Sequence, residues 1–346
     1  GVHTLIDKTR TQYNQVQLSG TEFFSDTIMG SGNIYWRNID QSTYNGDLND
    51  EFCDDDDIPE ECAVENDNEG VINRSDTTQN AYGVNGQLTF DNDWLSRRNQ
   101  LIVGAAFEYS KVQFEQSSQQ IATLDPSGFF SGELQAKVQT SGLTGKTYTS
   151  SIFATNNHAL NDQWSINNSL RYNYVDIRND DTLNGEGGAR SLTGDHDFDR
   201  LNPSVGLTFS PYDNLSTYAS YNEANRAPTS IELGCANPEN PCTLPTQMAD
   251  DPPLEQVVAK TFEAGARGRF ASFFNSNTSW NISGYSATNH DDILFLYTES
   301  NTTAGYFDNV EKTTRKGIDV GLSTAFEEWT ISMNYNYVKA QYGTDL

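Results

Sequence analysis

No run of about 18 apolar residues occurs in this 346-residue chain, which excludes a transmembrane helix. A basic stretch followed by an apolar one is missing from its start, so a secretory signal is expected to be absent or already removed. Positive charge is scarce: 21 Lys and Arg stand against 48 Asp and Glu, a formal net charge of −27. Nucleic-acid binding needs a basic footprint and is excluded as a partner class. Hydrophobic residues make up only 36%, below the ordinary share of about 45–50%. Disorder does not explain the deficit, because aromatics reach 12% and disordered chains lack them. No nucleophile–base pair, metal-ligand triad or phosphate-cradling loop is present, so the chain is not expected to be an enzyme.

Alternation with period two is what the chain has in abundance. Leu101, Val103, Ala105, Phe107 and Tyr109 fall on one face of their segment, opposite Gly104, Ala106, Glu108 and Ser110. Trp164, Ile166, Leu170, Tyr172 and Tyr174 oppose Ser165, Asn167, Ser169, Arg171 and Asn173. Val84 and Leu88 oppose Asn85 and Gln87, Val320 opposes Asp319, and Ile331 and Met333 oppose Ser332 and Asn334. About twelve strands are expected, near 10–18, 27–38, 77–90, 99–115, 146–159, 164–178, 198–210, 215–223, 257–270, 278–289, 312–326 and 329–342. Several reach about fifteen residues, or roughly 50 Å at about 3.3 Å per residue. Strands of soluble sandwiches average about 5–6 residues.

Connections alternate between short ones (91–98, 160–163, 211–214, 327–328) and long ones (39–76, 116–147, 179–197, 224–256, 290–311). Trp94, Trp164, Trp280 and Trp329 each lie beside a short connection. A soluble β protein would use those Trp as core anchors. Strand length and the one-sided Trp instead predict an all-β fold, a transmembrane antiparallel β-barrel with short turns on one side and long extracellular loops on the other.

Asp47–Glu69 holds twelve acids and no base, most simply a solvated loop. Within it and just beyond, Glu65, Asp67, Glu69 and Asp76 occupy positions 1, 3, 5 and 12 of a calcium-loop pattern, a candidate Ca²⁺ site without the usual flanking helices. The four cysteines form two close pairs, Cys53/Cys62 and Cys235/Cys242, in polar segments containing proline. Neither pair has the CxxC-and-His spacing of a zinc site, so two disulfides within loops are expected.

From Leu201 to Gly343 the chain resembles the later part of a TonB-dependent outer-membrane receptor barrel. The residues carrying this are "LNPSVGLTFSPYDNLSTYASYNEANRAPTSIEL", "DPPLEQVVAKTFEAGARG", "DDILF", "GYFDNVEKTTRKGIDVGL" and "YNYVKAQYG". Residues 1–200 resemble it through strand and loop rhythm alone. The resemblance implies residence in the bacterial outer membrane and energy-coupled import of a scarce small-molecule metal chelate, most commonly a ferric siderophore. It implies a TonB system as partner, acting through a plug domain. A passive porin or a surface-interaction barrel is the alternative.

Against an expected 22 strands, residues 1–346 would supply a partial barrel, an arc of about twelve strands, with plug and terminal strands missing. Arg226 and Glu232 become candidate substrate contacts, or residues holding the loop on the barrel rim, and a Cys235–Cys242 disulfide would brace that loop. Haem receptors of this family carry a His between the Arg-Ala-Pro box and the Pro-Leu segment. None lies between Arg226 and Leu254, so haem is disfavoured; no cofactor other than Ca²⁺ is expected.

Overall fold

The computed structural model describes residues 5–48, 70–124, 127–184, 191–234, 242–243, 254–271, 277–298, 301–326 and 328–343. They form one antiparallel sheet of fourteen strands. In chain order these are β1 (Lys8–Ser25), β2 (Ile28–Leu48), β3 (Gly70–Trp94), β4 (Arg97–Leu124), β5 (Phe130–Leu134), β6 (Val138–Ala159) and β7 (Trp164–Asp181). Then follow β8 (Gly194–Tyr212), β9 (Leu215–Arg226), the short helix α1 (Ser230–Gly234), β10 (Cys242–Thr243), β11 (Val257–Ala271), β12 (Asn277–Thr298), β13 (Asn301–Ala325) and β14 (Thr330–Tyr342).

Twelve of these strands run as a meander of neighbours, each expected from the alternation. The five-residue β5 on β4 and the two-residue β10 on β13 were not foreseen. Among the described residues β1 pairs only with β2, and β14 pairs on one side only, with β13. Over the described residues the sheet is open.

One expectation fails in extent. The spans 39–76, 116–147, 179–197 and 290–311 read as long loops, yet strands occupy much of each. β2 pairs with β3 up to Leu48↔Gly70, and β12 with β13 up to Thr298↔Asn301. Above a bilayer neither face of a hairpin needs apolar side chains, so pairing continues where the alternation stops.

The register lines up an apolar face. Leu18, Ile34, Val84 and Phe107 sit opposite one another across β1–β4. Ile152, Tyr172 and Leu201 do so across β6–β8, and Ile282, Val320 and Tyr335 across β12–β14. These side chains are exposed or half-exposed, and so contiguous an apolar surface marks contact with lipid. The reverse face carries Asn85, Gln87, Asn167, Arg171, Glu263, Asp319 and Asn334. Its polar groups satisfy one another: Asn85 donates to Asn33 at 2.9 Å, Arg171 to Ser151 at 2.6 Å, and Tyr218 to Glu263 at 2.6 Å. Tyr35 and Arg37 both donate to Glu108.

At the short-turn end the ring of Trp164 stacks on Phe209 with centroids 4.4 Å apart, and Trp94 leans on His158 at 5.1 Å. The β3–β4 turn there is only Leu95-Ser96, with φ of 52° and 59°. A two-residue turn with both φ positive has the form of type I′, the turn whose twist suits a hairpin.

Candidate functional site at the barrel mouth

At the opposite end of the sheet apolar side chains gather into buried clusters. One apolar cluster joins Phe114, Leu143 and Leu192 with Ile231, Phe295 and Phe307. A second joins Ile177, Leu233, Leu254, Val257 and Ile293 with Val175, Phe198, Ala227 and Phe307. Phe307 touches both and meets Phe295 edge-on at 5.1 Å. Phe114, Leu143 and Ile177 lie on the polar-face side of their strands, so both clusters sit inside the arc.

Helix α1 is the element that brings them together. Its entry is Thr229-Ser230-Ile231-Glu232. The Glu232 amide donates to Thr229 Oγ1 at 3.1 Å, and the Thr229 amide donates to Glu232 Oε2 at 2.8 Å. Two otherwise orphaned amides are thus satisfied reciprocally, a capping box. Arg226 Nη1 closes on the same Glu232 oxygen at 2.6 Å. With its cap formed, the helix drives Ile231 into one cluster and Leu233, fully buried, into the other. Asn179 Nδ2 donates to the Ser230 carbonyl at 3.1 Å. Gly145 lies so close beneath that an added Cβ would stand 2.6 Å from the Ser230 Cβ.

The return of the chain is anchored beside its departure. Leu254 lies in the same cluster as Leu233. The next residue, Glu255, is held through its backbone by Asn309: the Glu255 amide donates to Asn309 Oδ1 at 2.7 Å, and Asn309 Nδ2 donates to the Glu255 carbonyl at 3.1 Å. Asn309 Nδ2 also reaches the Asp291 carbonyl at 2.7 Å, at a residue whose φ is 53°. Next door, buried Asp292 accepts from Asn289 Nδ2 at 3.0 Å and from Thr313. At the β7–β8 stem Asp181 accepts the amides of Leu183, Asn184 and Leu192 at 2.7–3.0 Å.

The sequence-derived candidates divide accordingly. Arg226 and Glu232 come together in one ion pair at the rim. Of the proposed calcium ligands, Glu65, Asp67 and Glu69 lie outside the described residues. Asp76 lies in β3, its carboxylate 2.7 Å from Arg74 Nε and 3.0 Å from Arg74 Nη2. Burial works to raise the Asp76 pKa, but the hydrogen bond from Arg74 and the Arg74 charge outweigh it and hold the carboxyl below its ordinary range. Cys53, Cys62 and Cys235 lie outside the described residues. Of Cys242 only the backbone is described, paired with Gly305.

A family model described as TonB dependent receptor-like, beta-barrel matches residues 4–346. The chain belongs to this family. Its members are proteins of the bacterial outer membrane, which accounts for the apolar outward face. Among solved structures, the receptor barrel is similar to the siderophore receptor PiuA from Acinetobacter baumannii, at 16% identity and a TM-score of 0.65, over 97% of this chain and 48% of that one. It is similar to the ferric yersiniabactin uptake receptor FyuA from Yersinia pestis, at 12% identity and a TM-score of 0.64, over 98% and 44%. It is likewise similar to the copper transporter OprC, at 13% identity and a TM-score of 0.66, over 98% and 47%. The chain spans about half the length of these structures. No curated protein matches it.

The motifs that carried the resemblance are the ones that meet at the mouth. The Arg-Ala-Pro box leads into α1, the Pro-Leu-Glu segment supplies Leu254 and Glu255, and the Asn-Val strand supplies Asn309. Reading the sequence passed over Asn309, Asp181 and Leu233. The spacing of Thr229 and Glu232 was the signal that could have located α1.

Proposed function

We propose that the protein imports a scarce metal chelate, a ferric siderophore first among candidates, across the outer membrane with energy drawn from TonB through a plug domain. Family membership over residues 4–346 is the observation that carries this reading. The mouth supports it. A binding loop must resist chain entropy of about 1–2 kcal/mol per residue, and the stems here are fixed by α1, Asn309 and Asp181. Glu232 and Arg226 act by holding the start of α1 on the rim, next to where cargo is captured. The outward hairpins recognise and the barrel wall conducts; no covalent chemistry is assigned to the chain. Two of the structural relatives are named for siderophore or ferric-chelate uptake and one for copper, so the cargo panel spans both. The test is growth of an iron-starved host carrying the full-length gene on ferric siderophores, a copper chelate, cobalamin and oligosaccharides, with TonB intact or deleted. TonB-dependent rescue by a ferric siderophore supports the proposal. Entry undiminished by loss of TonB would show a passive pore instead.

A further inference from the structure

On the inward face, Arg171 of β7 and Arg267 and Arg269 of β11 lie on strands that have a described neighbour on both sides. Among the described residues no carboxylate is ion-paired with any of the three. Arg37 and Arg200, by contrast, each hold one: Glu108 at 3.2 Å and Glu223 at 2.8 Å. Carboxylates of the inner wall are already engaged elsewhere. Glu108 accepts from Tyr35 and Arg37, Glu263 from Tyr218, and Asp319 from Asn336. In a chain of net charge −27, three such arginines on one wall are not explained by general composition.

Arg171 is held in place without being neutralised. Its Nε donates to Asn173 Oδ1 at 2.8 Å and its Nη2 to Ser151 Oγ at 2.6 Å. Its guanidinium carbon stands 5.5 Å from the centre of the Phe153 ring. That ring rests on Gly104, where an added Cβ would lie 2.4 Å from Phe153 Cζ. Asn173 donates onward to Asn225 Oδ1 at 2.8 Å, one residue before Arg226 at the rim. Both acceptors of Arg171 are neutral, so its charge is oriented but not cancelled, and three of its five N–H groups are left for a ligand. The other two arginines stand lower. They flank Gly268, the register partner of Leu215 beside the Asp213-Asn214 short turn. Arg171 lies seven residues from Trp164 (171 − 164), about 23 Å up its strand at about 3.3 Å per residue. Arg267 lines two hollows: one of about 290 Å³ with Asn167, Ser204 and Asn222, and one of about 490 Å³ with Arg269, Asn281 and Asp213.

We propose that Arg171, Arg267 and Arg269 are successive binding points for an anionic chelate, one presenting carboxylate or catecholate oxygens, as it descends the inner wall. This names the cargo class of the import function proposed above and rests on that reading. An anion leaving bulk water for a narrow passage loses hydration, and fixed N–H donors offset that loss. Donors already oriented, as on Arg171, lose little freedom on binding. The same charges repel a cationic chelate of equal size.

The full-length protein, in a host lacking other iron receptors, is given radiolabelled ferric chelates of like size: a trianionic tris-catecholate, a neutral trihydroxamate and a cationic aminated trihydroxamate. Capture is measured with the proton gradient collapsed, and uptake with it restored. Unaltered protein should import the trianion fastest and the cation about tenfold more slowly, the weight of one charge-assisted hydrogen bond. Arg171→Gln, and Arg267→Gln with Arg269→Gln, should each slow trianion uptake about tenfold while capture and neutral-chelate uptake stay unchanged. Arg267→Lys with Arg269→Lys keeps both charges and should keep the preference. Heat-modifiable migration checks assembly, and the charge series on unaltered protein decides if a variant fails to assemble. Neutral or cationic chelate imported as fast as the trianion overturns the inference but leaves the import reading standing. Equal loss of trianion and neutral uptake in the Gln variants also overturns it, because the arginines would then hold the plug or the wall. Uptake of none of the three chelates defeats the import reading, and the inference with it.

Discussion

Arg226 Nη1 lies 2.6 Å from Glu232 Oε2, the same oxygen that accepts the Thr229 amide at 2.8 Å. One carboxylate thus ties the end of β9 to the cap of α1. Truncating Thr229 to Ala removes an uncharged member of this arrangement and should cost about 1 kcal/mol of local stability. Glu232→Ala should cost a similar amount. Arg226→Ala should cost less, because its side chain is half-exposed and water screens the pair. Hydrogen exchange at residues 229–234 measures all three. If the arrangement works by holding the loop, Thr229→Ala and Glu232→Ala weaken cargo binding equally. If the charges touch cargo, only the Arg226 and Glu232 variants weaken it.

Leu170 faces outward between Ala154 and Pro203, whereas its neighbour Asn167 faces inward and donates to Asn157. Leu170→Arg places a charge in the apolar band at a cost of about 2–4 kcal/mol. Asn167→Arg should be tolerated. The yield of heat-modifiable barrel in outer-membrane fractions distinguishes them, and equal yields would contradict the assigned faces.

The Leu95-Ser96 turn holds two side-chain-bearing residues at positive φ. A left-handed residue other than glycine costs on the order of 1 kcal/mol or more. Replacing the pair by Asn-Gly, the favoured type I′ sequence, should raise the urea midpoint of unfolding by the equivalent of about 1 kcal/mol. A lowered midpoint would mean that Leu95 contributes contacts worth more than the strain.

The Asp76 carboxyl has a folded pKa below its unfolded value, so ionisation of Asp76 stabilises the β2–β3 hairpin at neutral pH. That contribution is fully present above the unfolded Asp value of about 3.9 and is lost as pH falls through the depressed folded value. Proteolysis within 70–76 should therefore stay flat through mild acid and rise only below the ordinary Asp range. Asp76→Asn should show the loosened behaviour at every pH.

The membrane-crossing half of each strand was legible because alternation is enforced there: Val103 must meet lipid while Gly104 and Glu108 face inward. Further up, Gln116-Ser117-Ser118-Gln119-Gln120 carries no such mark, yet it is strand, held by backbone pairing to β3 and β6. Arg226 and Glu232 were legible as individuals. Their meeting depends on the 227–229 connection and on Leu233 entering the cluster that holds Ile177, 56 positions away (233 − 177), which no local pattern encodes. Asn309 escaped for the same reason, since an asparagine in a polar strand looks like any other until Glu255 arrives beside it.

Leu233 and Leu254 share one buried cluster although the stretch 234–253 separates them in the chain. Both ends of that stretch are consequently clamped to the same spot, and the closure cost of what lies between grows only slowly with its length, about 0.6 kcal/mol per doubling. The mouth is in this sense a cassette holder: the two leucines fix its walls while the strands that cross the membrane keep their register.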